Sequence, residues 1–329
     1  MSDMRFDAYV TSAFFEPSGR AVFALGDGTV RFETGECIGA HPDAAVQCAV
    51  LHPSGDGVIT GGDDERLVWS RAGAAPLELA NAAGRWIDAV AANAESGLIA
   101  FAAGRRVQVL DSRDPGFLRT FEHDRSVADV TFDGKGRRLA CATYGGAALW
   151  FARIEGQKPT LLKWAGSHIA AAYSPDGRFL ITAMQENALH GWRVADARDM
   201  RMGGYPAKPR SLAFLSRGAL LATSGANGVV VWQFSGADGP MGREASEVGH
   251  DDSALVTRVA ATPDGARMAA GLDDGRVWAA ALDRTGVIRL RADKGAPISA
   301  LAMSPDQTRL AWGDEDGAAG VAALPFGDT

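Results

Sequence analysis

Residues that could perform acid-base, nucleophilic or metal chemistry are spread thinly along this chain. The histidines are His41, His52, His123, His168, His190 and His250, and the cysteines are Cys37, Cys48 and Cys141. The sequence contains no HExxH zinc motif, no GxSxG nucleophile motif and no GxxxxGK[ST] phosphate-binding motif. Three cysteines without a CxxC pair indicate reduced, buried thiols. The sequence therefore predicts no catalytic residue, no metal site and no cofactor.

Acidic turns are the other feature that could bind a hard cation. They are Asp63-Asp64, Asp273-Asp274 and Asp314-Glu315-Asp316. A calcium site needs several oxygens placed through one loop, whereas these turns are short and recur at one point of a repeat. They favour a structural role.

The overall composition is that of a protein with a large hydrophobic core. Hydrophobic residues make up 47% of the 329 positions and charged residues 22%. The formal net charge of −7 disfavours nucleic acid and anionic membranes as partners. The N-terminal residues lack the apolar segment of a secretory signal, and no run of about 20 apolar residues could span a bilayer. We expect a cytoplasmic protein.

A repeat runs through the whole chain and predicts how it folds. Each copy has an apolar strand, a turn resembling Pro-Ser/Asp-Gly, a second apolar strand, a short Gly or Asp turn, and a third strand that often ends in Trp. The eight copies of the first turn end at Gly19, Gly55, Gly97, Gly136, Gly177, Gly218, Gly265 and Gln307. Successive copies are 36, 42, 39, 41, 41, 47 and 42 residues apart, close to the roughly 40 to 45 residues of a four-stranded propeller blade. The sequence therefore predicts an all-β fold, a closed β-propeller of eight antiparallel four-stranded blades in one domain spanning residues 1–329.

The two ends of the chain are expected to close the ring. The eighth copy stops near Phe326, after its third strand. Residues 3–8 have the position and the strand-compatible residues to supply the missing fourth strand, beside residues 320–324. Pairing there removes exposed sheet edges, which otherwise invite aggregation.

The second copy carries the residues that link this repeat to a known family. His41 precedes its first strand, Thr60 lies on the second strand, Asp64 in the following turn and Trp69 on the third strand. With this pattern the chain resembles the WD-repeat family, and the resemblance covers essentially the whole chain. It implies that the four side chains form a buried hydrogen-bond network. Most members of the family have seven blades, so seven is the alternative to the eight counted from the copies.

The other copies match the family pattern only in part. The fourth has His123 and Trp150 but glycine at the turn, and the fifth has Thr182 and Trp192 with Trp164 in the histidine position. These departures affect the expected hydrogen-bond networks and leave the blade fold intact, because apolar packing between blades is the larger stabilising contribution.

The resemblance implies a non-catalytic scaffold that binds a protein or peptide on the top face of the propeller. In the family register, the start of each first strand points into the mouth of the central channel. These positions are Thr11, Gln47, Asp88, Ala128, Ile169, Arg210, Thr257 and Ser299. Their mixture of one acid, one base and small polar groups indicates a recognition surface.

An aromatic and several arginines near that ring are the strongest binding candidates. Arg85-Trp86 lies in the loop entering the third blade, and Arg105-Arg106 lies in the turn after its second strand. Tryptophan and arginine are the residue types most enriched in binding hot spots. The predicted partner-binding residues are Arg85, Trp86, Asp88, Arg105, Arg106, Arg210 and Gln47. They predict an acidic partner with an apolar anchor, unless Trp86 packs between blades and the arginines are merely solvated.

The same turns on the opposite arc are acidic, so the face should carry charges of opposite sign on its two sides. The acidic residues are Asp27, Asp63, Asp64, Asp273, Asp274, Asp314, Glu315 and Asp316.

Two functions of other classes stay open. One is a metal-dependent, lactonase-like enzyme at the central mouth, and the other is a nucleic-acid partner at the arginines of the third blade. A monomer is expected.

Overall fold

The computed structural model describes residues 2–326, which form β-strands joined by short turns and loops, with a single 3-10 turn at Ser216–Gly218. Strands β1 to β15 cover Ser2–Arg5, Val10–Phe15, Ala21–Leu25, Thr29–Phe32, Cys37–Gly39, Val46–Leu51, Val58–Gly62, Arg66–Ser70, Leu77–Asn81, Ala89–Asn93, Leu98–Ala103, Arg106–Asp111, Asp114–Glu122, Val127–Phe132 and Arg138–Phe151. Strands β16 to β30 cover Thr160–Tyr173, Phe179–Met184, Ala188–Arg193, Arg198–Met202, Leu212–Leu215, Leu220–Thr223, Val229–Gln233, Ser246–Val248, Val256–Ala261, Arg267–Leu272, Val277–Ala281, Ile288–Arg291, Ile298–Met303, Arg309–Asp314 and Ala318–Ala323.

The number of sheets corrects the main prediction. We expected eight blades, each a four-stranded sheet, with seven as the alternative. Residues 2–326 form seven sheets, so the count of eight separate sheets is wrong and the alternative of seven fits. Six of the sheets have four strands, and one has six, in the order β14-β15-β16-β17-β18-β19.

The six-stranded sheet joins the fourth and fifth copies of the repeat. In β15, residues 139–143 pair with β14 and residues 146–149 pair with β16. The chain folds back between these halves at Gly145 and Gly146, which have φ of 92° and 136°. In the same way β16 pairs with β15 through residues 160–163 and with β17 through residues 168–173. Tyr144 also pairs with Ser167, so one continuous ladder runs through both copies.

The first strand of every copy lies at the central axis. The strands β2, β6, β10, β14, the second half of β16, β20, β24 and β28 contact one another in this order and return to β2. Eight clusters of buried apolar side chains fill the spaces between neighbouring copies within residues 2–326. Burial of one large aliphatic or aromatic side chain contributes about 1.5–3 kcal/mol, so these clusters hold the copies in a rigid ring.

The N-terminal strand closes the ring as expected. It pairs antiparallel with β30, with Asp3 opposite Gly320 and Arg5 opposite Ala318. The N–H of Phe6 donates to the carbonyl of Gly317 at 2.8 Å, and the Phe6 ring lies 5.7 Å from that of Phe23 in the next sheet. The last sheet therefore combines both ends of the chain.

Candidate partner-binding face

The top face is formed by the loops that enter the first strands and by the turns between second and third strands. In the second copy these two segments are joined directly, because the Ala45 N–H donates to the Asp63 carboxylate at 2.8 Å. The same bond joins the Leu255 N–H to Asp273 at 2.9 Å in the seventh copy. Both acids belong to the predicted acidic arc, so part of that arc holds the loops in place.

The predicted ring of channel residues follows a repeated β-bulge. Thr11, Gln47, Ala128, Ile169, Thr257 and Ser299 are each the extra residue at a register shift of a first strand. A bulge places one additional residue on its strand and redirects the side chains beside it. Asp88 and Arg210 come shortly before β10 and β20.

Hydroxyl groups of this ring link neighbouring first strands. Ser299 is buried and its Oγ donates to the Val10 carbonyl at 2.7 Å, while Thr257 Oγ1 donates to the Ile298 carbonyl at 2.7 Å. The longer side chains of Gln47, Asp88 and Arg210 are exposed. The small hydroxyl residues of the ring therefore link neighbouring strands, whereas its long side chains are accessible to a partner.

Trp86 lies exposed on a loop that is firmly attached to the propeller. Its side chain is 60% exposed, whereas the next residue, Ile87, is fully buried. The Ile87 N–H donates to the Gly62 carbonyl at 3.1 Å, and the Asp88 N–H donates to the Ala102 carbonyl at 2.9 Å. Because both following residues are fixed, the position of Trp86 is preorganised. The interpretation that Trp86 packs between blades is wrong.

The arginines of the third copy surround this loop and differ in their surroundings. Arg85 lies against Gly104, where an added Cβ would be 3.0 Å from its guanidinium. Arg106 is exposed and pairs with Glu122, its Nε lying 2.9 Å from Oε1. Arg105 is exposed and forms no ion pair among the described residues. Arg105 therefore carries the less compensated charge of the two.

The exposed patch continues onto the fourth copy, which the sequence reasoning missed. The His123 N–H donates to the Arg105 carbonyl at 2.9 Å, which joins the third-copy turn to the next entry loop. Arg125 of that loop lies over the ring of Tyr144, 5.9 Å from its centroid, and Tyr144 is 63% exposed. The signal in the sequence was an aromatic residue before two glycines in a turn that is otherwise small and polar.

A cleft of about 480 Å³ lies beside Tyr144. Its lining includes His123, Arg125, Leu161, Lys163 and Trp164. Apolar surface and two cations thus border the same concave space.

The predicted network of the second copy forms in part, and Trp69 has to be corrected. His41 is fully buried; its Nε2 lies 2.8 Å from Thr60 Oγ1 and its Nδ1 lies 2.8 Å from Asp64 Oδ1. Trp69 lies outside this network, since its indole N–H donates to the Asp56 carbonyl at 2.8 Å and its ring stacks on His52 at 3.9 Å.

Strand register explains why Trp69 lies elsewhere. Thr60 pairs with Val68, one residue before Trp69, whereas Thr223 of the sixth copy pairs with Val230, two residues before Trp232. Side chains alternate between the faces of a strand, so a shift of one residue places the indole on the opposite face.

The sixth copy has a complete network that uses a tyrosine in place of histidine. The hydroxyls of Tyr205 and Thr223 lie 2.6 Å apart, and the Trp232 indole N–H donates to the Tyr205 hydroxyl at 2.6 Å. The sequence reasoning missed this network because tyrosine is absent from the family pattern.

The histidines of the other copies have contrasting environments. In the fifth, His168 Nδ1 lies 2.7 Å from Thr182 Oγ1, and Trp164 stacks on His190 at 3.9 Å. Burial lowers the pKa of His190 to about 4, and it also lowers the pKa of His168. His250 is exposed between Glu247 and Asp252, whose hydrogen bonds raise its pKa.

The remaining ionisable groups of the described residues do not converge on one site. Burial raises the pKa of the Cys48 and Cys141 thiols, whereas Cys37 is exposed, contrary to the expectation that all three are buried. Asp314 is buried and pairs with Arg291 at 3.1 Å, but Glu315 and Asp316 are exposed. Among residues 2–326 no group of three or more His, Cys, Asp and Glu side chains has a metal-binding arrangement. No helix in that range is long and apolar enough to cross a membrane.

Comparisons with known proteins agree with this architecture. Residues 243–278 match the family model of the WD domain, G-beta repeat. Among solved structures, the computationally designed Ika8 protein is similar with a TM-score of 0.78 and 18% identity, covering 97% of this chain and 98% of that chain. A chain of the Mitotic Checkpoint Complex is similar with a TM-score of 0.66 and 15% identity, covering 98% of this chain and 91% of that chain. A search of curated proteins by sequence found no match.

The fold defines the class of the protein as a β-propeller closed by its N-terminal strand. Its seventh copy matches the repeat of the WD domain, and the whole chain shares its fold with the two solved structures.

Proposed function

We propose that this propeller is a non-catalytic scaffold that binds a protein or peptide on its top face, centred on Trp86. The observation that carries the proposal is a large aromatic side chain, 60% exposed, on a loop whose next residue is fully buried. An exposed tryptophan on a fixed loop loses little conformational entropy on binding, which favours a hot spot.

The surrounding charges support an acidic partner. Arg85, Arg105 and Arg106 lie around the Trp86 loop, and Arg125 continues the patch. Complementary charge mainly accelerates association and excludes wrong partners. Glu315 and Asp316 on the opposite arc are exposed and repel an acidic segment that approaches in the wrong orientation.

The shape of the face supports an apolar anchor in the partner. The cleft beside Tyr144 has a volume of about 480 Å³, within the roughly 300–1,000 Å³ range of small-molecule pockets. An aromatic or aliphatic side chain of the partner fits this cleft while neighbouring carboxylates meet the arginines. Gln47, Asp88 and Arg210 then contact the partner across the mouth.

Selection from a displayed random-peptide library against the full chain, followed by fluorescence polarisation of the selected peptides, tests the proposal. Selected peptides should contain Asp or Glu close to a large apolar residue. Trp86→Ala should weaken their binding by about 2 kcal/mol or more, roughly thirtyfold. The matched control is Phe151→Ala, which removes another exposed aromatic at the far end of a third strand.

The charge component is tested separately through kinetics. Arg105→Glu combined with Arg106→Glu should slow association and reduce its dependence on salt. Lys135→Glu with Arg137→Glu, in the exposed first turn of the fourth copy, is the control of equal charge change. Equal binding by wild type and by both top-face variants contradicts the proposal and moves the binding site to another surface.

A further inference from the structure

Two cavities lie along the central channel. The upper pocket has a volume of about 300 Å³ and includes Tyr9, Lys208, Arg210, Arg258 and Glu315 in its lining. The lower cavity, at the opposite mouth, has a volume of about 830 Å³ and includes Phe14, Leu51, Phe132, Leu212, Leu301 and Met303. The upper pocket is polar and the lower cavity is mainly apolar.

Arg258 of the upper pocket is a half-buried cation with no carboxylate in ion-pair contact among the described residues. Its Nε donates to the Ser299 carbonyl at 2.6 Å, and its Nη1 donates to the Thr257 carbonyl at 3.1 Å. Among residues 2–326 its Nη2 has no acceptor within hydrogen-bond distance. A half-buried guanidinium held only by backbone carbonyls is left with uncompensated positive charge.

The charged neighbours of Arg258 leave an excess of positive charge. Lys208 and Arg210 line the same pocket and face Asp273 and Glu315. One oxygen of Asp273 accepts the Leu255 N–H at 2.9 Å, which leaves Glu315 as the less committed acid. Burial lowers the pKa of Arg258 and the nearby Arg210 lowers it further, whereas Tyr9 and Glu315 raise it, so an anion beside the guanidinium would stabilise its charged form.

The same strands continue from the cationic pocket into the apolar cavity. On β24, residues 256–258 line the upper pocket and residues 259–261 line the lower cavity. On β28, Ile298 lines the upper pocket and residues 301–303 line the lower cavity. With a rise of about 3.3 Å per residue, the lining changes from cationic to apolar within about 10 Å.

We infer that the channel binds a single-tailed amphipathic anion, with a carboxylate or phosphate head at Arg258 and an alkyl tail in the lower cavity. A guanidinium binds either head group through charge-assisted hydrogen bonds. Each methylene group of the tail that leaves water for the apolar cavity strengthens binding. This ligand site is separate from Trp86 and shares with the proposed partner-binding face only Arg210, at the mouth of the channel.

Titration calorimetry of the full chain with dodecanoate, dodecyl phosphate, dodecanol and acetate, each below its aggregation concentration, tests the inference. Dodecanoate or dodecyl phosphate should bind with saturable one-to-one stoichiometry and about tenfold or more tighter than dodecanol, because only the anions meet the guanidinium. Acetate should bind too weakly to detect, because it lacks the tail. The ratio of the dissociation constants of dodecanoate and dodecyl phosphate identifies the preferred head group.

Three variants separate the head site from the tail site. Arg258→Met and Arg210→Met should reduce the preference for the anion over dodecanol, and Arg210 is exposed, so its replacement leaves the core intact. Ala302→Phe should fill part of the lower cavity and weaken all three twelve-carbon ligands. Arg178→Met, in an exposed turn at the lower face, is the control and should change nothing.

The inference is overturned by any of three results. These are absence of saturable binding by both anions, equal affinity for dodecanoate and dodecanol in the wild type, or unchanged binding in both Arg210→Met and Ala302→Phe. Failure of the peptide experiments at Trp86 has no bearing on it, because none of the residues changed in those experiments lines the upper pocket or the lower cavity.

Discussion

Two buried tyrosines show how hydrogen bonding differs between copies of the repeat. The Tyr205 hydroxyl contacts Thr223 and Trp232, each at 2.6 Å, whereas the equally buried Tyr173 hydroxyl has no hydrogen-bond partner among residues 2–326. Burial raises the pKa of Tyr205 to about 12, so the hydroxyl stays protonated. Removing a buried hydroxyl that has hydrogen-bond partners leaves those partners unpaired. It therefore costs more unfolding free energy than removing a buried hydroxyl that has no partner.

Tyr205→Phe should therefore lower the free energy of unfolding by about 1–3 kcal/mol, because the Trp232 N–H and the Thr223 hydroxyl both lose a partner. Tyr173→Phe is the matched control and should be neutral or slightly stabilising. Urea denaturation followed by fluorescence measures both. A larger loss in Tyr173→Phe than in Tyr205→Phe would contradict the hydrogen-bond assignments.

His190 makes the stability of the protein depend on pH. Its pKa is about 4 in the folded state against an ordinary value of 6.5, so the unfolded chain binds more protons between these values. The stability that the neutral His190 ring contributes is therefore complete above pH 6.5. It is lost as the pH falls from 6.5 towards 4. The loss between pH 7 and pH 5 is about 2 kcal/mol.

The measurement compares wild type with His190→Leu by urea denaturation at pH 7 and pH 5. The variant should lose about 2 kcal/mol less on acidification, whatever its stability at pH 7. Taking the difference removes the effect of Asp129, whose pKa is raised to about 7 by burial and which acts in the opposite direction. Equal acid sensitivity in both proteins would refute the role of His190.

At the scale of the element, the joint between the fourth and fifth copies depends on one glycine. Both Gly145 and Gly146 have positive φ, but only an added Cβ at Gly146 would overlap the Leu162 carbonyl oxygen. Gly146→Ala should therefore have a clearly lower midpoint of thermal unfolding than Gly145→Ala. The expected difference in the free energy of unfolding is at least about 2 kcal/mol. Equal midpoints would mean that the close approach of these strands is absent.

Closure by the N-terminal strand is tested by removing residues 1–8. The truncated chain should melt at a lower temperature and aggregate more, because β30 then has an unpaired edge. Phe6→Ala should reproduce part of the loss, about 1–2 kcal/mol, since Phe6 packs on Phe23. Asp7→Ala, the exposed neighbour, should not. An unchanged melting curve for the truncated chain would count against closure.

The elements could be predicted from the sequence to the extent that their turns repeat. The regular spacing of the first turns predicted the first strands, and the missing fourth strand predicted the pairing of β1 with β30. The merging of two copies could not be predicted, because it depends on the backbone path at Gly145, Gly146 and Gly166. A glycine in a turn permits many paths and specifies none.

At the scale of the whole molecule, the propeller has two different mouths. The top face presents Trp86, Tyr144 and the arginines, whereas the lower mouth is lined by apolar side chains of the first strands. Trp86 could be singled out from the sequence, since loops carry polar residues and Trp86 breaks that pattern, but the exposed Tyr144 of the fourth copy was missed. The cavities could not be predicted, because residues from several distant copies form each of them.

The proposed contact between Trp86 and the bound partner can be tested by site-specific photo-crosslinking. A photoreactive benzoylphenylalanine is placed at position 86 or at position 151, and each protein is irradiated with the same selected acidic peptide. A crosslinked product is expected from position 86 and none from position 151. Crosslinking from position 151, or none from position 86 while the peptide remains bound, would contradict it.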